Sequence, residues 1–192
     1  MPIPLGVLAV AGAGGGGGGA AYELLETQVL TGVNTVTFSN LNSSYGSTYQ
    51  HLQLRMVVQS TRASSLDGVI VTFNGDTASN YSYHFLQGGN PSSVTSSAAA
   101  NASKIFGGYI PGTTNATSWS PVIMDILDPF ETTKNKTTRS LCGQIDANWQ
   151  LVTFTSGSWR NTAALTSITV APDVGTAFSI GSRFSIYGMR ST

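Results

Sequence analysis

The sequence predicts an all-β protein, an antiparallel β-sandwich of jelly-roll-like type carrying an extended glycine-rich N-terminal arm. Three observations predict it. From Tyr22 onward, short segments rich in Val, Ile, Thr, Tyr and Phe alternate apolar and polar residues with the period of two that a half-buried strand requires. Clusters of Gly, Pro, Asn and Ser separate those segments, and no stretch shows a helical apolar period. The first 22 residues carry no charge and contain the run Gly14–Gly19, which sets them apart from the rest. The chain therefore divides into an arm, 1–21, and a sandwich domain, 22–192.

The strands follow in order. Tyr22–Leu30 is the first and Asn34–Leu41 the second, with Val36 and Phe38 in phase. Tyr49–Gln59 places Leu52, Leu54, Met56 and Val58 on one face, and Leu66–Phe73 does the same with Val69, Val71 and Phe73. Asn74-Gly75 then reads as a type I′ hairpin turn, because both central positions need positive φ, and Tyr81–Leu86 is its expected return strand. Residues 88–103 open on a Gly-Gly-Asn-Pro turn cluster and continue in small residues. They read as a long loop, with a short helix over Ser97–Ala102 as the alternative. Strands resume at Lys104–Ile110, Trp119–Leu127, Thr137–Gln144, Gln150–Thr155, Leu165–Val170 and Phe184–Met189. Eight to eleven strands with short turns imply a sandwich or jelly roll.

Composition narrows the function. Only 9% of residues are charged and the formal net charge is zero, so solubility rests on Ser, Thr, Asn, Gln and exposed backbone. The nine Lys and Arg are scattered, whereas phosphate binding needs them clustered, so nucleic acid is not an expected partner. The apolar part of the arm, Ile3–Val10, has no basic residue before it and is too short and glycine-broken to span a bilayer, which argues against a secretory signal and against membrane insertion. Fixing such a segment costs about 1–2 kcal/mol of backbone entropy per residue, so a partner must hold it if it is ordered. Ile3, Leu5, Val7 and Leu8 are the expected anchoring contacts with a neighbouring protein.

Signs of chemistry are few. Gly12, Gly14 and Gly17 match G-x-G-x-x-G literally, but polyglycine cannot open the helix that a dinucleotide site requires, and no phosphate-loop lysine follows. No cofactor is expected. The lone Cys142 excludes an intrachain disulfide and reads as a small buried hydrophobe. His51 and His84 lie in separate strands without a second local ligand, so no metal site is expected. No G-x-S-x-G elbow marks a nucleophile. Asp125 and Asp128, three apart on a strand, point to opposite faces and read as partners of the basic stretch Lys134, Lys136 and Arg139 rather than as an acid/base pair. Asp76 reads as a turn residue. Trp119, Trp149 and Trp159 read as core, with stacking on sugars as the alternative. Five Asn-x-Ser/Thr sequons, beginning at Asn42, Asn80, Asn101, Asn115 and Asn135, are what a Ser- and Thr-rich chain produces by chance.

Several segments together carry a resemblance. They are the opening Met1-Pro2-Ile3-Pro4-Leu5-Gly6-Val7-Leu8-Ala9, the stretch Tyr22-Glu23-Leu24-Leu25, and Tyr49-Gln50-His51-Leu52-Gln53-Leu54-Arg55. Phe73-Asn74-Gly75-Asp76 with Asn80-Tyr81-Ser82-Tyr83-His84, Asp125-Ile126-Leu127-Asp128 with Thr132-Thr133-Lys134-Asn135-Lys136-Thr137, and Ser185-Ile186-Tyr187-Gly188-Met189-Arg190 complete the set. Over nearly its whole length the chain resembles the small β-rich structural proteins encoded among the virion genes of tailed bacteriophages. The resemblance implies a non-enzymatic protein of the particle surface, assembled in the host cytoplasm, and supplies no catalytic residue. It implies a trimeric tail fibre or short tail appendage held to other virion proteins by the arm and able to contact a host-surface glycan or protein. A capsid decoration protein is the alternative, and a carbohydrate-binding module the second.

Overall fold

The computed structural model describes residues 22–90, 92–145 and 149–190; the arm, 1–21, and with it Ile3, Leu5, Val7 and Leu8, lies outside the described residues. The described chain forms two antiparallel sheets. Their strands are β1 (Tyr22–Val29), β2 (Val36–Phe38), β3 (His51–Val58), β4 (Leu66–Phe73), β5 (Tyr81–Gly89), β6 (Ser93–Ala102), β7 (Ile105–Pro111), β8 (Ser120–Leu127), β9 (Lys136–Ile145), β10 (Gln150–Trp159), β11 (Ile168–Pro172) and β12 (Arg183–Met189). The larger sheet runs β1-β12-β3-β8-β9-β10-β5-β6 and the smaller β2-β11-β4-β7. One apolar core fills the space between them. It takes Leu52, Leu54, Met56 and Val58 from β3, Val69, Val71 and Phe73 from β4, and Val122, Met124 and Ile126 from β8. The faces expected for β3 and β4 are the faces observed.

Four local readings need correction. Residues 88–103 are not a loop: Ser93–Ala102 is strand β6, paired residue for residue with β5 from Gly89↔Ser93 to Tyr83↔Ala99. Ala and Ser have low strand propensity, and pairing to an existing strand overrides it. The second strand is only three residues long, because Leu41 turns into the core and opens the five-residue helix α1 (Leu41–Tyr45), where no helix was expected. Asn74 and Gly75 do take positive φ, 53° and 67°, and Asp76 N–H closes the turn on Phe73 O at 2.9 Å. They do not join a hairpin, however. The chain crosses to the other sheet, where β5 pairs with β10 and β6 while β4 pairs with β11 and β7. The Asp76 carboxylate holds this crossing by accepting from Ala78 N–H, Asn80 Nδ2 and Trp159 Nε1, at 2.7 Å for the last. Those donors, Asn80 first, hold its pKa below the usual aspartate value.

Beside the crossing, Trp159 stacks on Tyr81 at 6.2 Å and meets Phe73 edge-on at 5.7 Å, all three fully buried. The core reading therefore holds for Trp159. Trp119 and Trp149 are half-buried, and Trp149 Nε1 donates to Ser65 Oγ at 2.9 Å.

Candidate assembly surface

The outer face of the larger sheet inverts the pattern that strands of a sandwich normally follow. On β9 the residues turned inward are Thr138, Ser140, Cys142 and Gln144, while Leu141 and Ile145 face solvent. On β10 Thr153 and Thr155 are inward, while Val152 and Phe154 face solvent. The inner choice has a steric cause. Strand β7 approaches closely here, with Ser140 Oγ donating to Gly107 O at 2.8 Å and Cys142 Sγ donating to Tyr109 O. A Cβ on Gly108, whose φ is +135°, would lie 2.6 Å from the Cys142 Cβ, and one on Gly157 would lie 2.6 Å from Thr138 Oγ1. Around Gly107, Gly108 and Gly157 the close approach favours small side chains, whereas Leu151 and Trp159 fill the inner side toward the ends of β10. Among the described residues nothing packs against the outer side to account for its apolar residues.

Strand register lines those outer residues into a row. Ile123 sits opposite Leu141, Leu141 opposite Phe154, and Phe154 opposite Leu86, so four large apolar side chains cross β8, β9, β10 and β5 without a break. They are 42%, 50%, 43% and 57% exposed in that order. Beside it Val57 sits opposite Pro121, and Gly143, Val152, Gly88 and Val94 lie opposite one another in turn across β9, β10, β5 and β6. Two hollows open along the first row. One, of about 350 Å³, lies between Phe154, Leu86 and His84 and the small residues Ser96–Ala98; the other, of about 300 Å³, lies between Ile123, Leu141 and Phe154. Singly exposed apolar residues are ordinary, and the contiguity of this row makes the face a candidate contact surface.

A polar row borders it on the other side. Arg139 donates to Asp125 Oδ2 at 2.7 and 3.1 Å, Gln53 Nε2 donates to Asp125 Oδ1 at 2.7 Å, and Arg55 Nε donates to Gln53 Oε1 at 2.6 Å. The Arg55 guanidinium lies 4.6 Å from the Tyr187 ring centre and 5.8 Å from that of Tyr22. These charges are already partnered within the face, so covering it would strand none of them. An apolar middle with aromatic and arginine residues at its border is the composition of a protein–protein interface.

The residues singled out in the sequence are dispersed. Asp125 pairs with Arg139, and Asp128 pairs with Lys134 at 3.0 Å, as expected. Lys136 does not join them. It is fully buried, and its ammonium donates to the carbonyls of Glu131, Lys134 and Thr162. His51 Nδ1 accepts the Asp128 N–H at 3.0 Å, while His84 is exposed on the outer face opposite Ser156. Cys142 is 1% exposed, and burial pushes its thiol up to about 12. Among the described residues no group of three or more His, Cys, Asp or Glu is placed to hold a metal, and no helix is long and apolar enough to cross a membrane.

Sequence reasoning passed over two features. Asp67 is 2% exposed and accepts four hydrogen bonds, and the outer row itself was hidden because Leu141 and Phe154 look like core residues in an alternating strand. The signal available was the run of inward Ser and Thr on two adjacent strands. No family model matches the chain, and no curated protein matches it in sequence.

Proposed function

We propose that this is a non-enzymatic structural protein of a bacteriophage particle, a short trimeric tail fibre or appendage, which assembles through the outer face of its larger sheet and is anchored to other virion proteins by its N-terminal arm. The observation that carries the assembly reading is the inverted pattern on β9 and β10: Leu141 and Phe154 face water while Thr138, Ser140, Thr153 and Thr155 face the core. The virion reading comes from the sequence resemblance.

The dimensions agree with a stable contact. Eight strands about 4.8 Å apart and seven to ten residues long make a face of roughly 1000 Å², which is within the range one partner contributes to a standard interface. The central four residues expose roughly 300 Å² of apolar side chain, worth about 8 kcal/mol when covered at 25 cal/mol per Å². Association costs about 4–15 kcal/mol. The first row alone is therefore marginal, and the flanking Val57, Pro121 and Val152 must be covered with it.

Copy number tests the position on the particle. Gold-labelled protein in purified particles should appear in a few copies at the tail; hundreds of copies over the head would replace the appendage by the decoration alternative. Deleting residues 1–19 should leave a folded, oligomeric domain that no longer joins particles. Full incorporation of that deletion would show that the arm is not the anchor.

A further inference from the structure

We infer that β6 is a second docking edge, at which the larger sheet is extended by antiparallel pairing with β6 of another copy of this chain. A sheet edge exposes a row of unpaired N–H and C=O groups, and proteins guard such edges with charge, proline, bulges or short length. Three of the four edges here are guarded. β1 has a register shift between Leu24 and Glu26 and carries two carboxylates, one of them, Glu23, tied to Arg190. β7 has a shift opposite Val69 and Ile70 and ends on Pro111, and β2 is three residues long. β6 is ten residues long, contains no charged residue and no proline, and among the described residues pairs on one side only. Its register shift and the positive φ of Asn101, 56°, fall at the far end, which leaves Ser93–Ala99 as seven unguarded residues.

The chemistry of the edge favours a second copy as its occupant. Ser, Thr and Ala carry no charge code that would select a foreign strand. Juxtaposed antiparallel with itself the edge brings hydroxyl side chains opposite one another without a clash or a like-charge contact. The zero net charge of the chain removes long-range repulsion between copies. The joint also continues the sheet whose outer face carries the apolar row, so the hollow at Leu86, Ser96 and Phe154 lies beside it. A ladder about seven residues long covers roughly 240 Å² per partner, well below the ~800 Å² of a standard interface. The contact is therefore weak alone and acts between copies that the outer face or the particle already concentrates. Pairing one edge with its own copy is two-fold, and is a contact separate from the proposed trimer.

Charge exchange on the exposed inner side of β6 tests it and leaves the outer face intact. Thr95→Lys/Ser97→Lys alone, and Thr95→Glu/Ser97→Glu alone, should each sediment more slowly than the unsubstituted chain at high micromolar concentration, and their mixture should recover its sedimentation. Either variant sedimenting as the unsubstituted chain does, a mixture that fails to recover, or association gained by the lysine variant alone through the acidic β1 edge would overturn the inference. A second measurement needs no variant. Those amides of Ser93–Ala99 that do not pair with β5 should become protected from hydrogen exchange as concentration rises, and protection independent of concentration would overturn it too.

Discussion

Replacing Asp67 by Asn should lower stability by about 3 kcal/mol, although the change is one of the smallest available. Asp67 Oδ1 accepts the N–H of Gly68 at 2.7 Å and of Val174 at 3.1 Å; Oδ2 accepts the Ser60 hydroxyl at 2.6 Å and the Gly175 N–H at 2.9 Å. The carboxylate thereby ties the end of β3, the start of β4 and the loop after β11 into one buried node. An amide offers one acceptor and one donor. Its least damaging placement puts the NH₂ on the Oδ2 side, where the Ser60 hydroxyl can rotate to accept and the Gly175 N–H meets another donor. An orphaned buried donor costs about 1–3 kcal/mol, and losing the charge weakens the remaining bonds by a further ~1 kcal/mol. At about 2–4 °C per kcal/mol for a domain of this size, the melting temperature should fall by about 6–12 °C. Thermal and urea melts read this directly. A fall below about 2 °C would show that the node is not held by the carboxylate.

The other stability predictions follow from single contacts. Gly75→Val should cost about 1–3 kcal/mol from backbone strain alone, because φ is +67° and a Cβ there would meet nothing within 4 Å; an unchanged melt would contradict the strain. Lys136→Met should cost about 2–4 kcal/mol by orphaning buried carbonyls, whereas the exposed Lys134→Met should change stability by less than about 0.5 kcal/mol; paired urea titrations compare them. Burial raises the Cys142 thiol from the ordinary 9.0, and the Tyr81 phenol from 10.0, each to about 12. Both groups hold their protons more tightly when folded, so the folded state binds more protons than the unfolded one and stability falls as pH rises from about 9 to 12. Cys142→Ala should flatten that fall in an alkaline unfolding titration; an unaltered slope would refute the assignment.

The fold was legible wherever apolar residues alternate and point inward. β3 and β4 follow that rule, and their core residues could be named from spacing alone, while for β8 the sequence placed the strand, Trp119–Leu127, without naming its inward residues. The rule failed in three places for identifiable reasons. β6 contains one β-branched apolar residue, Val94, so nothing local marks it as a strand; the register with β5 creates it. The Asn74-Gly75 turn has the backbone of a hairpin turn, but Asp76 and its donors redirect the chain to the other sheet, a long-range bond between Asp76 and Trp159 that no local window contains. In the middle of β9 and β10, at Thr138–Cys142 and Val152–Thr155, the alternation is present but reversed, since the closeness of β7 at Gly107 and Gly108 favours small side chains inside; at the strand ends Leu151 and Trp159 point inward as usual. Face assignment there depends on which strand lies across the core, and a one-residue slip would exchange the two faces. The candidate surface went unseen for the same reason: it is made of residues that, taken strand by strand, look like core.

The most direct test of the outer face is sedimentation equilibrium of the Leu141→Lys/Phe154→Lys variant beside the unsubstituted chain. Both side chains are about half-exposed on the outer face, away from the buried core, so the variant should melt within about 0.5 kcal/mol of the original. The unsubstituted chain should sediment as an oligomer, and the variant as a species of lower mass with its fold intact. An original chain that remains monomeric at all concentrations, or a variant with the same oligomer mass, would contradict the assignment of this face to assembly.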